Sequence, residues 1–381
     1  MVAGGSAGPA LPGGGLVCPE PRMRAAKELC MNMKAQPGAL GELRRQSAIV
    51  RSLGSDFVAD VLEAGERQLD CGARTAALIA GWRGDAAAAA LALRFNAGVH
   101  ALARRGGVPR LSALFRREHD DYDGALRDAL THGDSFIAQW MRTPTQTNEV
   151  ARAAALAAAL LVLSDDFGMP LELLELGSSC GLNLNLARYR YNLGGVAAGD
   201  AESRIVLQPV WEGMPPPAAP IRIKHAMGVD LDPLDPLSGD TRERLLSFVF
   251  ADQPARMARL EAALEVARCH LPRVDRADAL DWLPRHIEAP QDEGICRVVM
   301  HSMVKQYFTR ADQDRFVRFL NQAGARATVD RPLAWISFEW TTARDEVQLV
   351  LTQWPSRMRR ILAICHPYGE RVRWLEGNSS M

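Results

Sequence analysis

The chain has no excess of either charge: Lys plus Arg and Asp plus Glu each number 45 among 381 residues. Without a net field it has no global means of holding nucleic acid or an anionic membrane, so neither is expected as a partner. The basic clusters that do occur, Arg104-Arg105, Arg116-Arg117 and Arg357 with Arg359-Arg360, are short and read as solvated surface. No apolar run approaches the ~20 residues of a membrane span; the longest, 153–163, is Ala-rich and reads as a core helix. Paired cysteines are missing too. The seven cysteines are scattered and never form CxxC, which argues against a disulfide framework or a structural zinc site, and no metal is expected. A GxxxxGK(S/T) motif is absent, which excludes a P-loop. Residues 1–20 lack the basic start and apolar core of a signal peptide. Gly, Ala and Pro dominate them, so they read as a disordered tail, and the protein is expected to be cytoplasmic.

What is present is an ordinary globular balance, 48% hydrophobic and 24% charged, in a chain long enough for an α/β domain with a helical appendage. Residues 21–145 read as a helical N-terminal domain, with apolar residues at helical spacing in Met23–Met33, Gly41–Leu53, Ser55–Leu69 and Thr75–Arg83. The run of alanines Ala86 to Ala90 predicts that a helix over Asp85–Arg105 starts early. Leu111–Arg117, Asp121–Leu130 and Ser135–Met141 are shorter helical stretches. Thr147 reads as an N-cap for the helix that follows, with Asn148 and Glu149 in its first turn.

Residues 146–381 alternate between strands and helices, which predicts a mostly parallel, Rossmann-like sheet with an antiparallel C-terminal edge. Its organising stretch is LELLELGSSCGLNLNLARYRY, 171–191: an apolar strand, a small-residue turn and an expected helix from Leu182 to Tyr191. Small residues let the backbone pass close to a ligand, and a helix start offers free N–H groups. In open α/β sheets, ligands bind at the carboxyl ends of strands. The residues at those ends are Glu175 to Gly181, Asp230 and Asp232, Asp278, His301-Ser302 and Glu339. Such a ring of carboxylates suits sugar hydroxyls and an adenine amino group more than a triphosphate.

The turn, E-x-G-x-S-x-G, resembles motif I of class I S-adenosylmethionine-dependent methyltransferases, with Ser179 where that motif has its middle glycine. The segments QTNE (146–149), ELGSSCGLNL (175–184), RYRY (188–191), GVDLDPLDP (228–236) and HSMVKQY (301–307) resemble a bacterial family known as domain of unknown function 2332. The two resemblances together imply a methyltransferase-like core with a pocket for S-adenosylmethionine. Carried over, the pattern puts Gly177, Ser179 and Gly181 beside the methionine part of the cofactor and makes Glu175 an anchor for the turn or the amine. Asp230 or Asp232 would take the ribose and Asp278 the adenine. Methyl transfer depends mainly on positioning, helped by a base when the acceptor is a hydroxyl or amine. His301 is the candidate base or substrate contact, against the plain reading of a packed histidine at a strand end; it lacks the Asn/Asp-Pro-Pro-aromatic signature of amino-group methylation. Gln146, Asn148, Glu149, Asn183, Ser302 and Tyr307 are candidate rim residues for a small-molecule acceptor, and Glu339 and His366 are further candidates. The N-terminal helical domain is expected to cover the pocket and select the acceptor. The alternative is a binding or regulatory protein that retains a degenerate pocket. A dinucleotide would require GxGxxG and an acidic residue near position 200; Asp200 lies instead in a Gly-rich loop.

Overall fold

A computed structural model describes residues 41–87 and 89–375. The expected tail over 1–20 and the expected helix Met23–Met33 fall outside them. The chain divides into two compact units that meet between Arg142 and Thr143.

The first unit is helical: α1 (Glu42–Ser52), α2 (Asp56–Arg67), α3 (Ala73–Ala80), α4 (Leu91–Arg104), α5 (Pro109–Phe115) and α6 (Tyr122–Met141). Two expectations fail here. Ala86, Ala87, Ala89 and Ala90 lie in turns, with Ala90 left-handed at φ 53°, and the helix begins only at Leu91. Alanine has high propensity but little side chain to bury. The helix starts where Leu91, Phe95 and Val99 give it an apolar face. The stretches 121–130 and 135–141 form one helix, because Gly133 serves close packing and does not break the chain: a Cβ there would lie 2.3 Å from Leu102 on α4.

The second unit begins with α7 (Ala153–Phe167), in which every residue from Ala153 to Ser164 is buried. It contains β1 (Leu171–Leu176), β2 (Arg190–Leu193), β3 (Val196–Gly199), β4 (Val206–Leu207), β5 (Val210–Glu212), β6 (Ile223–Asp230), α8 (Gly239–Phe248), α9 (Pro254–Cys269), β7 (Val274–Arg276), α10 (Ala279–Ile287), β8 (Cys296–Ser302), α11 (Arg310–Gly324), β9 (Leu333–Trp340), β10 (Val347–Trp354), β11 (Met358–Cys365) and β12 (Arg371–Trp374). Nine strands form one sheet in the order β5-β12-β11-β10-β9-β8-β1-β6-β7, and β3-β2-β4 form a small second one. The strands from β7 to β9 run parallel and β10 to β12 alternate, so the expected parallel sheet with an antiparallel edge is what folds. One face carries α7, α8 and α9 over Leu171, Leu173, Val298 and Ile336. The other carries α10 and α11 over Leu174, Leu176 and Val299. With both faces covered, β1 and β8 are buried along nearly their whole length, and the polar residues they carry find partners inside.

Three local expectations change. Residues 143–149 are not helical; Glu149, not Thr147, caps the 3-10 turn Val150–Arg152 by accepting from Ala151 N at 3.2 Å. The segment after the glycine turn is a 3-10 helix, Leu182–Arg188, and the chain is already extended at Arg190. β12 and β5 widen the antiparallel edge by a parallel pair that the sequence pattern did not suggest.

Candidate functional site

Strand order reverses between β1 and β8: the chain leaves β1 for β6 and β7 on one side, then crosses to β8 and β9 on the other. The carboxyl ends of these two strands form the topological switch point, where open α/β sheets place their ligands. Leu176 on β1 pairs with His301 on β8, so the glycine turn and His301 share that edge.

The turn is built by unusual backbone. Gly177, Ser179 and Gly181 are all left-handed, at φ 68°, 51° and 71°. Its N–H groups are spent inside the protein. Those of Gly177 and Ser178 donate to Val229 O at 2.9 and 3.1 Å, Ser179 N to Asp230 Oδ2 at 2.8 Å, Cys180 N to Asn148 Oδ1 at 3.3 Å and Gly181 N to Ser178 O at 2.7 Å. Small residues are demanded by neighbours as well. A Cβ on Gly177 would lie 2.4 Å from Val304 Cγ2, one on Gly181 2.6 Å from Pro272, and one on Gly228 1.9 Å from Ser178 Oγ.

The structure brings several of the expected residues to this turn. Asn148, itself left-handed, closes it from above by donating to Ser179 Oγ at 2.8 Å, and Gln146 donates to Asp232 O at 2.9 Å while its own Oε1 is buried without a partner. Asp230 accepts one hydrogen bond on each oxygen, from Ser179 N and from Asp232 N. Asp232 accepts from Arg276 Nη1 at 2.8 Å and has Arg244 Nη1 3.8 Å away. Asp278, at the end of β7, caps α10 by accepting from Leu280 N. Tyr307 stands 65% exposed.

Glu175 is buried beneath the turn. Its Oε1 accepts from Asn183 Nδ2 at 2.8 Å and its Oε2 has no hydrogen-bond partner among the described residues. Burial, with the charge of Asp230 nearby, raises its pKa to about 7 against the opposing hydrogen bond from Asn183. A carboxyl with a raised folded pKa keeps its proton between about 4.5 and 7 while the unfolded chain loses it, so stability falls as pH rises through that window and levels above it. The difference amounts to about 3 kcal/mol. Glu175→Gln should therefore gain up to that amount over the parent at pH 8 and little at pH 4.5, read by urea denaturation at the two pH values. An equal effect at both would show that Glu175 ionises freely.

His301 lies on the opposite face of the sheet from Glu175, 2% exposed, against Phe316 and Trp335. Trp335 Nε1, which can only donate, meets His301 Nε2 at 3.0 Å; Nδ1 therefore carries the proton and donates to Glu339 Oε1 at 2.6 Å. The same oxygen accepts from Val304 N and Lys305 N, fixing the loop that packs on Gly177. Both ring nitrogens are thus committed within the protein, and Ser302 beside it is half-buried.

Arg256 and Arg259 are what the sequence reading passed over. Arg256 is 6% exposed; its Nε and Nη2 meet Glu149 Oε2 at 2.8 and 2.6 Å, and its guanidinium lies 4.1 Å above the Tyr368 ring. Arg259 flanks the same carboxylate at 3.8 Å with its Nε buried and unpartnered. Arg152 donates from Nε to Pro367 O at 2.8 Å. In the same environment burial and the Arg256 charge push His366 down to about 4. A signal for Arg256 exists in the sequence: on α9 it falls in register with the buried stripe Leu260, Ala263, Leu264 and Ala267, where a charge needs an internal partner.

A protein-family model described as "Uncharacterized protein conserved in bacteria (DUF2332)" matches residues 41–374. Comparison with curated proteins and with solved structures finds no match. No helix among the described residues is long and apolar enough to cross a membrane.

Proposed function

The chain belongs to the DUF2332 family, and we propose that it is an S-adenosylmethionine-dependent methyltransferase acting on a small-molecule acceptor. The observation that carries this reading is the order β7-β6-β1-β8-β9, with a left-handed glycine turn after β1 at the point of reversal and a carboxylate, Asp230, after β6 beside it. The donor set fits in one further respect. Glu175 Oε2 is a buried carboxylate oxygen without a partner, which the ammonium of an amino-acid ligand would complete. Asp230 and Asp232 each retain acceptor capacity for hydroxyls. When bound, the cofactor would supply an electrophilic methyl group.

The chain's own part is positioning. Glu175 and the turn would hold the amino-acid end, Asp230 or Asp232 the sugar, and the Glu339–His301–Trp335 chain would keep Val304 against Gly177. His301 is a positioning residue in this reading and not a base, because its Nε2 lone pair already accepts from Trp335.

A second reading, a binding protein without chemistry, is favoured by one observation: every N–H from Gly177 to Gly181 is already satisfied within the protein. Melting the protein with S-adenosylmethionine, S-adenosylhomocysteine, NAD or ATP tests both. A ligand at ~100 times its Kd stabilises by ~2.7 kcal/mol. Both adenosyl ligands should raise Tm while NAD and ATP do not; no rise with either adenosyl ligand ends the methyltransferase reading, and a rise without any methyl transfer supports the second.

A further inference from the structure

We propose that Arg152 is the anchor of an oxyanion subsite at the carboxyl edge of the sheet, built to receive the carboxylate or phosphate group of a small molecule. Arg152 ends the 3-10 turn that joins the two halves of this edge. Asn148, four residues before it, latches the glycine turn, and Glu149 holds Arg256. The HPYG turn after β11 packs directly on it: a Cβ at Gly369 would lie 2.6 Å from Arg152 N, and Pro367 O accepts from its Nε. That single bond uses the side of the guanidinium. Among the described residues the two terminal nitrogens have no hydrogen-bond partner, and those are the pair that grips a carboxylate or phosphate in parallel.

The neighbouring carboxylates do not fill that role. Glu149 is bound to Arg256 and to Ala151 N, and Glu339 is bound to His301, Val304 N and Lys305 N. The side chain is half-buried, so its fork stays within reach of solvent. Desolvation lowers its pKa despite the charges of Glu149 and Glu339, so the cation is left undercompensated. A half-buried arginine whose fork is unpaired within the protein is the arrangement that an incoming oxyanion completes.

As a subsite for the acceptor this inference rests on the methyltransferase reading; as an anion site it does not, and its test is run without the cofactor. The full chain is melted with inorganic phosphate, benzoate or chloride at matched ionic strength. Phosphate, benzoate or both should raise Tm by about 5–10 °C at ~100-fold above Kd, chloride should not, and which one acts identifies the group. Arg152→Met should abolish that rise while leaving the unliganded Tm unchanged or higher, because it removes an undercompensated, half-buried charge. Arg152→Lys, which keeps the charge and loses the fork, should weaken the anion at least tenfold. A rise with chloride equal to that with the oxyanions, or parent-like anion binding by Arg152→Lys, overturns the inference. So does an unliganded Tm that falls in Arg152→Met while the anion response persists, the mark of a purely structural arginine. Failure of S-adenosylmethionine to bind would overturn the methyltransferase reading and leave this result standing.

Discussion

Glu149→Ala should lower the unfolding free energy by about 3–5 kcal/mol, a fall of roughly 6–20 °C in Tm for a unit of this size. The carboxylate is 7% exposed and faces Arg256, which is 6% exposed. Two guanidinium nitrogens of Arg256 meet Glu149 Oε2, and the other carboxylate oxygen caps the turn at Ala151 N and faces Arg259. Removing the carboxylate leaves a cation against Tyr368 and Phe250 with, among the described residues, only Gln253 as a hydrogen-bond partner. The ring faces recover a part of that, on the order of 1–2 kcal/mol, but they already contribute in the parent. Arg256→Met should cost a similar amount, because it strands the anion instead. The double replacement Glu149→Met with Arg256→Met should cost far less than the sum, since a buried pair exchanged for apolar residues of like volume is often neutral. Urea denaturation of the four proteins gives the coupling. Single losses below ~1 kcal/mol, or a double that simply adds, would show that the pair is screened by water.

The sheet was legible in the sequence because β1, β8 and β9 are mostly apolar segments closed by polar or acidic residues, a pattern that a strand buried on both faces imposes. The glycine turn was legible for the same reason: three small residues at alternate positions admit left-handed backbone. Which partner each carboxylate takes was not. Asp230 braces the turn and Asp232 pairs with Arg276, allocations that depend on segments 51 and 44 residues away, while Asp278 caps its own helix at Leu280 N. Motif spacing names the group at a strand end but not the face it points to, which is why His301 and Glu175 prove to lie on opposite sides of the sheet. The alanine run misled because propensity is a weak prior once burial decides where a helix starts. β12 escaped notice because four residues alternating Arg and apolar side chains resemble a loop until β11 and β5 flank them.

Gly177→Ala separates the two reasons a glycine can stand at the head of this turn. At φ 68° an added Cβ costs about 1–2 kcal/mol in backbone strain. It also enters space held by Val304, whose Cγ2 would be 2.4 Å away, and such overpacking typically costs ~1–3 kcal/mol. A combined loss of about 2–4 kcal/mol is expected. Val304 is not free to swing aside, because its N–H is held by Glu339, whose carboxylate is in turn held by His301. Adding Val304→Ala removes the clashing methyl groups, so the double variant should regain the packing part and retain the strain part, a coupling of about 1–3 kcal/mol in denaturation measurements. Losses that add without coupling would mean that the loop relaxes. The same pair tests the site. If the turn cradles S-adenosylmethionine, its melting shift should fall in Gly177→Ala, whose Cβ pushes the turn and Val304 apart, and return in the double variant, where that clash is relieved. A shift that Gly177→Ala leaves unchanged would mean that the cofactor has to be sought elsewhere along the edge.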